Sequence, residues 1–217
     1  MAELDGVRWG PLAKGTPRQL VILCHGLGAD AHDLIDLAPS WAHALPDAVF
    51  CSVNALETHV SGFGRQWWDV GDRSPAWTEA GVRRAAAALS AFVPGELSRH
   101  GLPGAAYALM GFSQGAMTAL FTGLRMTPGP RAILGFSGAL IAPEKLAGEM
   151  TNRASVLLVH GEADEVVPVQ RSRDAEAALR GAGVPVEATY VPRLGHGIDE
   201  TGISMGALAL QRAFGGA

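Results

Sequence analysis

Residues 105–125 read AAYALMGFSQGAMTALFTGLR, and the expected fold follows from this stretch. The apolar run 105–110 predicts a buried strand, and residues 116–125 predict a helix. Between them, GFSQG at residues 111–115 matches G-x-S-x-G, a motif of sharp strand-to-helix turns. Its two glycines let neighbouring backbone pass close, and the serine hydroxyl projects beyond the sheet. The stretch therefore predicts a reactive nucleophile at Ser113.

The tripeptide Gly-Phe-Ser occurs a second time, at residues 135–137. Here Ala139 stands where the motif requires its second glycine, and residues 140–143 (LIAP) are a poor start for a helix. Ser137 therefore lacks half of the turn that would expose its hydroxyl. We expect it to be a small residue near a strand end beside the pocket, and Ser113 to be the catalytic serine.

The rest of the chain alternates short apolar runs with longer helical patterns. Strands are predicted at residues 19–24, 49–53, 132–136, 156–160 and 186–191, and helices at residues 30–45, 78–100, 171–180 and 204–214. Asp30 is placed as the first helix's N-cap, and the second helix carries a potential break near residues 94–95. The alternation predicts one α/β domain over residues 1–217, with a mostly parallel central sheet and helices on both faces. Ligands of such sheets bind at the carboxyl ends of the strands.

Composition argues against several classes of protein. The chain has 217 residues, of which 48% are hydrophobic, and this suits one globular domain with a sizeable core. Its net charge of −4, without any basic run, argues against nucleic-acid binding. Cys24 and Cys51 lie in predicted strands and form no CxxC pair. We expect both to be reduced core thiols rather than metal ligands or redox groups.

One uncharged segment, residues 103–124, is long enough to span a bilayer. Because it contains four glycines together with Ser113 and Gln114, a strand, a turn and a helix explain it better. The first residues, MAELDGVRWG, have no apolar region typical of a signal peptide. We therefore expect a soluble cytoplasmic protein with no integral membrane segment.

A serine hydroxyl needs a base to become a good nucleophile. In α/β folds with a G-x-S-x-G turn, the catalytic residues occur along the chain in the order serine, acid and histidine. Only His160 and His196 follow Ser113, so these two are the candidates for the base. His160 ends a predicted strand and is expected to pack there. His196 lies in the glycine-flanked loop RLGHGID after the last strand and is predicted to be the general base.

Three acidic residues compete for the role of the triad acid in HGEADEVVP, residues 160–168. Asp164 is the predicted acid, because a short side chain on a tight turn can accept a hydrogen bond from the imidazole Nδ1–H. Glu162 and Glu165 are expected to be solvated turn residues.

A tetrahedral oxyanion requires two N–H donors. One is predicted to be the amide of Gln114, which follows the nucleophile, and the other the amide of Leu27 in the loop HGLGAD at residues 25–30. Within this loop, His25 could be read as a metal ligand together with His32. A residue that braces the loop is the better interpretation, since no third ligand has suitable spacing.

The segment 54–77 has little periodicity and is predicted to be a long functional loop. Phe63, Trp67 and Trp68 are the candidate substrate-binding residues in it, because aromatic rings could form the wall of an acyl or alcohol pocket. The alternative is that these rings cover the core where the loop folds back. Arg65 is either structural or attracts a negatively charged substrate group.

Five segments in order, HGLGAD, GRQWWD, GFSQGA, HGEADEVVP and LGHGID, carry a resemblance to a known family. Across residues 25–199 the chain resembles the carboxylesterase/lysophospholipase family of α/β-hydrolases, which includes acyl-protein thioesterases and bacterial esterases with the GRQW segment. The resemblance implies an α/β-hydrolase fold without a large lid and hydrolysis of carboxylic esters or thioesters without cofactor or metal. Ser113, Asp164 and His196 match the family's triad, and Leu27 and Gln114 match its oxyanion positions.

Two departures from the family leave the acyl preference open: ADAHD follows the HGLG segment, and a tryptophan pair replaces the more usual Trp-Tyr or Trp-Phe. The predicted function is a serine carboxylesterase acting on short- to medium-chain esters or other lipid-like small molecules. The alternatives are acyl-protein thioesterase or lysophospholipase activity and a non-catalytic binding module on the same scaffold. Family members often form dimers, so a homodimer stays open.

Overall fold

The computed structural model describes residues 4–215 and is built around a seven-stranded sheet. The strands are β1 Gly6–Trp9, β2 Gln19–Cys24, β3 Ala48–Val53, β6 Tyr107–Phe112, β7 Ala132–Phe136, β8 Ser155–Gly161 and β9 Val186–Val191. Their order is β1-β3-β2-β6-β7-β8-β9. Only β1 runs antiparallel to its neighbour, β3, so the predicted mostly parallel sheet is confirmed.

Helices cover both faces of the sheet. They are α1 Ala31–Ile35, α2 Ala38–Ala42, α3 Pro75–Arg99, α4 Gln114–Gly123, α5 Leu146–Glu149, α6 Gln170–Gly181 and α7 Glu200–Phe214, with a 3₁₀ turn at Pro143–Lys145. Side chains of α1, α2 and α7 share one apolar cluster, whereas those of α3, α4 and α6 share the other. Because successive side chains of a strand point to opposite faces, Leu20 and Ile22 belong to one cluster, and Val21 and Leu23 belong to the other.

The predicted helix at residues 30–45 is two short helices. Asp30 is the N-cap of α1, and its carboxylate accepts a hydrogen bond from the His32 amide at 2.7 Å, so that part of the prediction is confirmed. The division falls just before Pro39, which lies in the first turn of α2. Proline has no amide hydrogen to donate to the carbonyl of Ile35, four residues back, where α1 ends, and it is tolerated in the first turn of a new helix.

Helix α3 continues through Pro94 to Arg99, so the predicted break near residues 94–95 is absent. Tertiary contacts outweigh the tendency of Pro94 to end the helix. Glu96, two residues further on, is buried and accepts hydrogen bonds from Arg8 of β1 at 2.6 and 2.8 Å. This ion pair holds the last turns of α3 against the edge of the sheet.

The 3₁₀ turn Pro143–Lys145, α5 and two β elements were not expected from the sequence. Strand β1 is only four residues long, and its burial does not alternate. The segment 54–77 contains a two-stranded hairpin, β4 Glu57–Thr58 with β5 Arg65–Gln66, and its last three residues open α3. Both elements are too short for periodicity to reveal them.

The uncharged segment 103–124 folds into β6, the turn at Ser113 and α4, as expected. Within residues 4–215, no helix is long and apolar enough to cross a membrane. Cys24 and Cys51 are buried free thiols, and burial raises the pKa of Cys51 to about 12.

The two glycines of the motif are required by backbone contact. A Cβ on Gly111 would lie 2.2 Å from the Gly115 carbonyl oxygen, and one on Gly115 would lie 2.0 Å from the Cys24 carbonyl oxygen. No real Cβ makes contacts this short with backbone. The glycines therefore let α4 start directly against the ends of β6 and β2.

We predict that Gly115→Ala lowers the free energy of unfolding by about 3 kcal/mol, the upper part of the range for overpacking, because helix and strand must separate. Gly95→Ala is the matched control. Its Cβ meets no atom within 4 Å, and removal of a helical glycine should raise stability by about 0.5–1 kcal/mol. Urea unfolding of both variants checks this, and equal stability of Gly115→Ala and wild type would contradict it.

Candidate active site

Ser113 occupies the turn between β6 and α4 in a strained backbone conformation. Its φ is 55° and its ψ −119°, a region that costs a non-glycine residue about 1–3 kcal/mol. The amide of Ser113 donates to the Phe136 carbonyl at 2.9 Å, which continues the ladder to β7 and fixes the turn. Ser113 is the N-cap of α4, yet its hydroxyl does not cap the helix. The hydroxyl is therefore left available for chemistry.

Asp164 lies in the turn after β8, and its carboxylate is wholly buried. One oxygen, Oδ1, accepts from the amides of Val166 at 2.9 Å and Val167 at 2.8 Å. The other, Oδ2, accepts from His196 Nδ1 at 2.7 Å. Burial raises the pKa of Asp164, but the hydrogen bonds from His196 and the two amides outweigh burial and hold that pKa below its ordinary value.

The other two acids of this turn have different surroundings. Glu162 is exposed and pairs with Arg173 at 2.8 Å, and Glu165 is exposed as well. Of the three, only Asp164 contacts His196, as the sequence predicts.

His196 reaches the turn at Ser113 from the loop after β9. Its ring packs against that of Phe112, the residue before Ser113, with centroids 4.7 Å apart and planes at 45°. Because Nδ1 donates to Asp164, Nε2 is the ring nitrogen that can accept a proton. Sequence reasoning missed Phe112, which is one of the variable positions of the motif.

The loop at residues 25–30 packs directly on the same turn. A Cβ on Gly26 would lie 3.1 Å from the Phe112 ring and 3.4 Å from Ser113 Cβ. Within residues 4–215, the amides of Leu27 and Gln114 donate to no other protein group. Two free N–H groups therefore stand on the two segments that flank Ser113.

His25 braces this loop. The Ala55 amide donates to its Nε2 at 3.0 Å, and Nδ1 lies 2.7 Å from the Gly26 carbonyl oxygen. Burial lowers the pKa of His25, which favours the neutral imidazole. Both ring nitrogens are occupied, whereas His32 lies on the surface beside Asp30. The bracing interpretation therefore fits these contacts, and the metal-ligand interpretation does not.

The tryptophan pair is buried, with Trp67 3% and Trp68 2% exposed. The Trp67 indole N–H donates to the His25 carbonyl at 2.9 Å. The Gln114 side chain accepts from the Trp67 amide and donates to the Trp68 carbonyl, both at 2.8 Å. These contacts favour the alternative in which both rings cover the core and anchor the loop.

Phe63 differs from the tryptophans because it is 82% exposed, between the two strands of the β4–β5 hairpin. The hairpin is tied to the loop at residues 25–30: the Gly28 amide donates to the Arg65 carbonyl at 2.8 Å, and the Arg65 amide donates to the Ala29 carbonyl at 2.7 Å. Through its backbone Arg65 thus has a structural role, and Phe63 is the predicted binding residue that a substrate can reach.

A mostly parallel sheet, with a strained serine turn, an acid turn and a histidine loop at the carboxyl ends of its strands, defines an α/β-hydrolase fold. No lid domain interrupts residues 4–215. The family model described as Phospholipase/Carboxylesterase matches residues 12–209, so the chain belongs to that family. It is accordingly a carboxylic ester hydrolase by family.

The names of individual similar proteins are consistent with this family assignment. The chain is 30% identical over 183 residues to Esterase YpfH of Escherichia coli, with 84% of this chain and 77% of that protein covered. It is 24% identical to Acyl-protein thioesterase 1 of Gibberella zeae, covering 81% and 82% of the two chains. The crystal structure of esterase PE8 superimposes with a TM-score of 0.92 at 36% identity, over 98% of this chain and 100% of that one.

We predict that Gln114→Ala lowers the free energy of unfolding by about 1–3 kcal/mol, because it leaves the buried Trp67 amide and Trp68 carbonyl unpaired while keeping the backbone amide. Gln170→Ala, which removes an exposed bond to Asp174, should change stability by less than about 0.5 kcal/mol. Urea unfolding compares the two. Equal losses in both variants would show that the bonds of Gln114 do not stabilise the loop.

The lowered pKa of Asp164 predicts a pH dependence of stability. The contribution of a carboxylate of this kind is present above its unfolded-state pKa of about 3.9 and is lost as pH falls through the lower folded-state pKa. The difference in urea midpoint between wild type and Asp164→Asn should therefore hold above about pH 5 and shrink below about pH 4. A difference unchanged down to pH 2 would contradict this.

Proposed function

We propose that this protein is a serine carboxylesterase that hydrolyses short- to medium-chain carboxylic esters through an acyl-enzyme at Ser113. One observation carries the proposal. Ser113 stands on a strained turn with its hydroxyl unused by the helix, and His196, hydrogen-bonded to buried Asp164, packs on the adjacent ring of Phe112. Membership of the family and the esterase relatives support it.

The proposed reaction has two steps. His196 Nε2 takes the Ser113 proton while Oγ attacks the ester carbonyl, and Asp164 stabilises the resulting imidazolium. The amides of Leu27 and Gln114 donate to the oxyanion. The proton on His196 then passes to the leaving alcohol, and a water molecule activated by His196 releases the acid. The protein groups named supply every proton transfer, so the proposal requires no cofactor or metal.

Exposed apolar side chains beside these groups support an acyl substrate. Leu27 belongs to the oxyanion loop, Phe63 to the hairpin tied to that loop, and Val166 to the acid turn, and all three are exposed. An acyl chain that lies across this open edge would bury apolar surface on three sides. We therefore propose an ester with an apolar acyl group as the substrate class and keep the cytoplasm as the predicted location.

A second candidate function is hydrolysis of thioesters or lysophospholipids. Thioester hydrolysis is favoured by the relative named as an acyl-protein thioesterase, which matches 81% of this chain, and lysophospholipid hydrolysis by the description of the family as Phospholipase/Carboxylesterase. Competition between an oxygen ester and a thioester of the same acyl length separates the two functions through their ratio of kcat/KM. A non-catalytic binding module would hydrolyse neither substrate.

The proposal predicts that Ser113→Ala loses about 10⁴- to 10⁶-fold in kcat towards p-nitrophenyl esters. Intact-mass spectrometry after treatment with a fluorophosphonate should show one adduct on wild type and none on Ser113→Ala. Ser137→Ala is the matched control, because Ser137 is fully buried and its variant should still be labelled. An adduct on Ser113→Ala, or more than a tenth of wild-type activity in that variant, would overturn the assignment.

A further inference from the structure

The triad acid has a second imidazole as a neighbour. His160, in β8, is wholly buried, and its Nε2 lies 3.1 Å from Asp164 Oδ2 and 2.8 Å from the Val167 carbonyl oxygen. The same carboxylate oxygen, Oδ2, accepts from His196 Nδ1 at 2.7 Å. Two histidines thus meet at one oxygen of Asp164, and the proposed reaction uses only one of them.

We propose that His160 is a positioning residue for the triad, a neutral imidazole whose Nε2–H is shared between the Val167 carbonyl and Asp164 Oδ2 and thereby sets the direction and strength of the Asp164–His196 hydrogen bond. This inference deepens the proposed function of the same site and rests on it.

The hydrogen-bond partners of His160 determine where its proton lies. Nε2 faces two acceptors, the Val167 carbonyl and the Asp164 carboxylate, so this nitrogen carries the proton. Burial lowers the pKa of His160, which favours the neutral ring with one proton. Nδ1 is then an acceptor, and the Ser172 hydroxyl of α6, 2.6 Å away, donates to it. The Ser172 hydroxyl therefore matches the tautomer in which Nε2 carries the proton.

Three hydrogen bonds hold the carboxylate of Asp164: two amides donate to Oδ1, and His196 donates to Oδ2. The Nε2–H of His160, bonded to the Val167 carbonyl, lies against Oδ2 as well, at 3.1 Å. Rotation of the carboxylate would break bonds at both oxygens, so the acceptor for His196 stays in one place. Such a restraint keeps the imidazole of a triad in its productive orientation.

The donor on Oδ2 has an electrostatic consequence for His196. A neutral N–H on the same oxygen takes up part of its negative charge, so Asp164 stabilises the His196 imidazolium less strongly. The charged and titratable groups that face His160 are Asp164 and His196. Tyr190 of β9 pairs with His160, but its hydroxyl donates to Glu176 at 2.8 Å and the Arg173 guanidinium lies over its ring. His160 therefore acts on the base through Asp164.

This network continues to the turn beside the nucleophile. Ser172 Oγ also lies 3.2 Å from the carbonyl oxygen of Gly138, which follows the second Gly-Phe-Ser tripeptide. A Cβ on Gly138 would lie 2.6 Å from Ala116 Cβ of α4. One buried path thus links α4, the Gly138 turn, Ser172, His160 and Asp164.

The test compares two substitutions of His160. His160→Leu removes both nitrogens at similar volume, whereas His160→Gln places an amide N–H near the position of Nε2. We expect His160→Leu to lose about 10- to 100-fold in kcat with KM unchanged. The acidic limb of its kcat/KM profile should move up by about half a pH unit to one unit. His160→Gln should recover most of the wild-type kcat and most of the wild-type pH profile.

His100 provides the matched control. It is partly buried at the end of α3, with Nε2 3.8 Å from Glu96, and its substitution by leucine should leave kcat and the pH profile unchanged. If His160→Leu does not fold, Ser172→Ala takes its place and should shift the same limb in the same direction by a smaller amount. Equal losses in the leucine and glutamine variants with a wild-type pH profile would overturn the proposal, because that result indicates packing alone.

NMR of the His196 Nδ1 proton separates this proposal from the proposed function. This proton lies in the hydrogen bond to Asp164, and its resonance should move downfield in His160→Leu relative to wild type and to His160→Gln, whether or not the protein turns over esters. A wild type without ester hydrolysis or phosphonate adduct would refute the esterase proposal alone. An unchanged resonance in His160→Leu would refute the role of His160 alone.

Discussion

The close contact between the start of α4 and the end of β2 is the constraint on which the site depends. With a Cβ at Gly115, the helix could not approach the carbonyls of residues 24 and 25. This approach places Ser113, the first amide of α4 and the loop at residues 25–30 side by side. Ser113, in this tight turn, has a positive φ. Strain of this size persists only when surrounding structure fixes the turn, and here the ladder to β7 does so.

A second layer of buried hydrogen bonds converts this contact into a rigid site. Gln114 binds the backbone of both tryptophans, Trp67 binds the carbonyl of His25, and His25 receives the Ala55 amide. Each bond joins segments that are distant in the chain. Because the partners are buried, a missing bond would leave a polar group without water, so these segments are held together as a unit.

Most of the fold could be predicted from sequence because its signals are local. Each of the six predicted strands is present within about two residues of its expected bounds, since central parallel strands are continuous apolar runs. The errors lie where a local preference competes with packing. Pro94 does not end α3, which the Arg8–Glu96 ion pair holds to β1, and β1 itself is an edge strand too short to show a period.

The alternation of strands and helices could be predicted from the chain alone, because its signals depend on residues adjacent in the chain. The same holds for the motif at residues 111–115 and for the predicted acid and histidine after it. The burial of the tryptophan pair and the contact of both His160 and His196 with Asp164 became visible only in the folded chain. Such contacts depend on sheet register, which brings the ends of β6, β8 and β9 to one edge. No local pattern encodes a neighbour across a sheet.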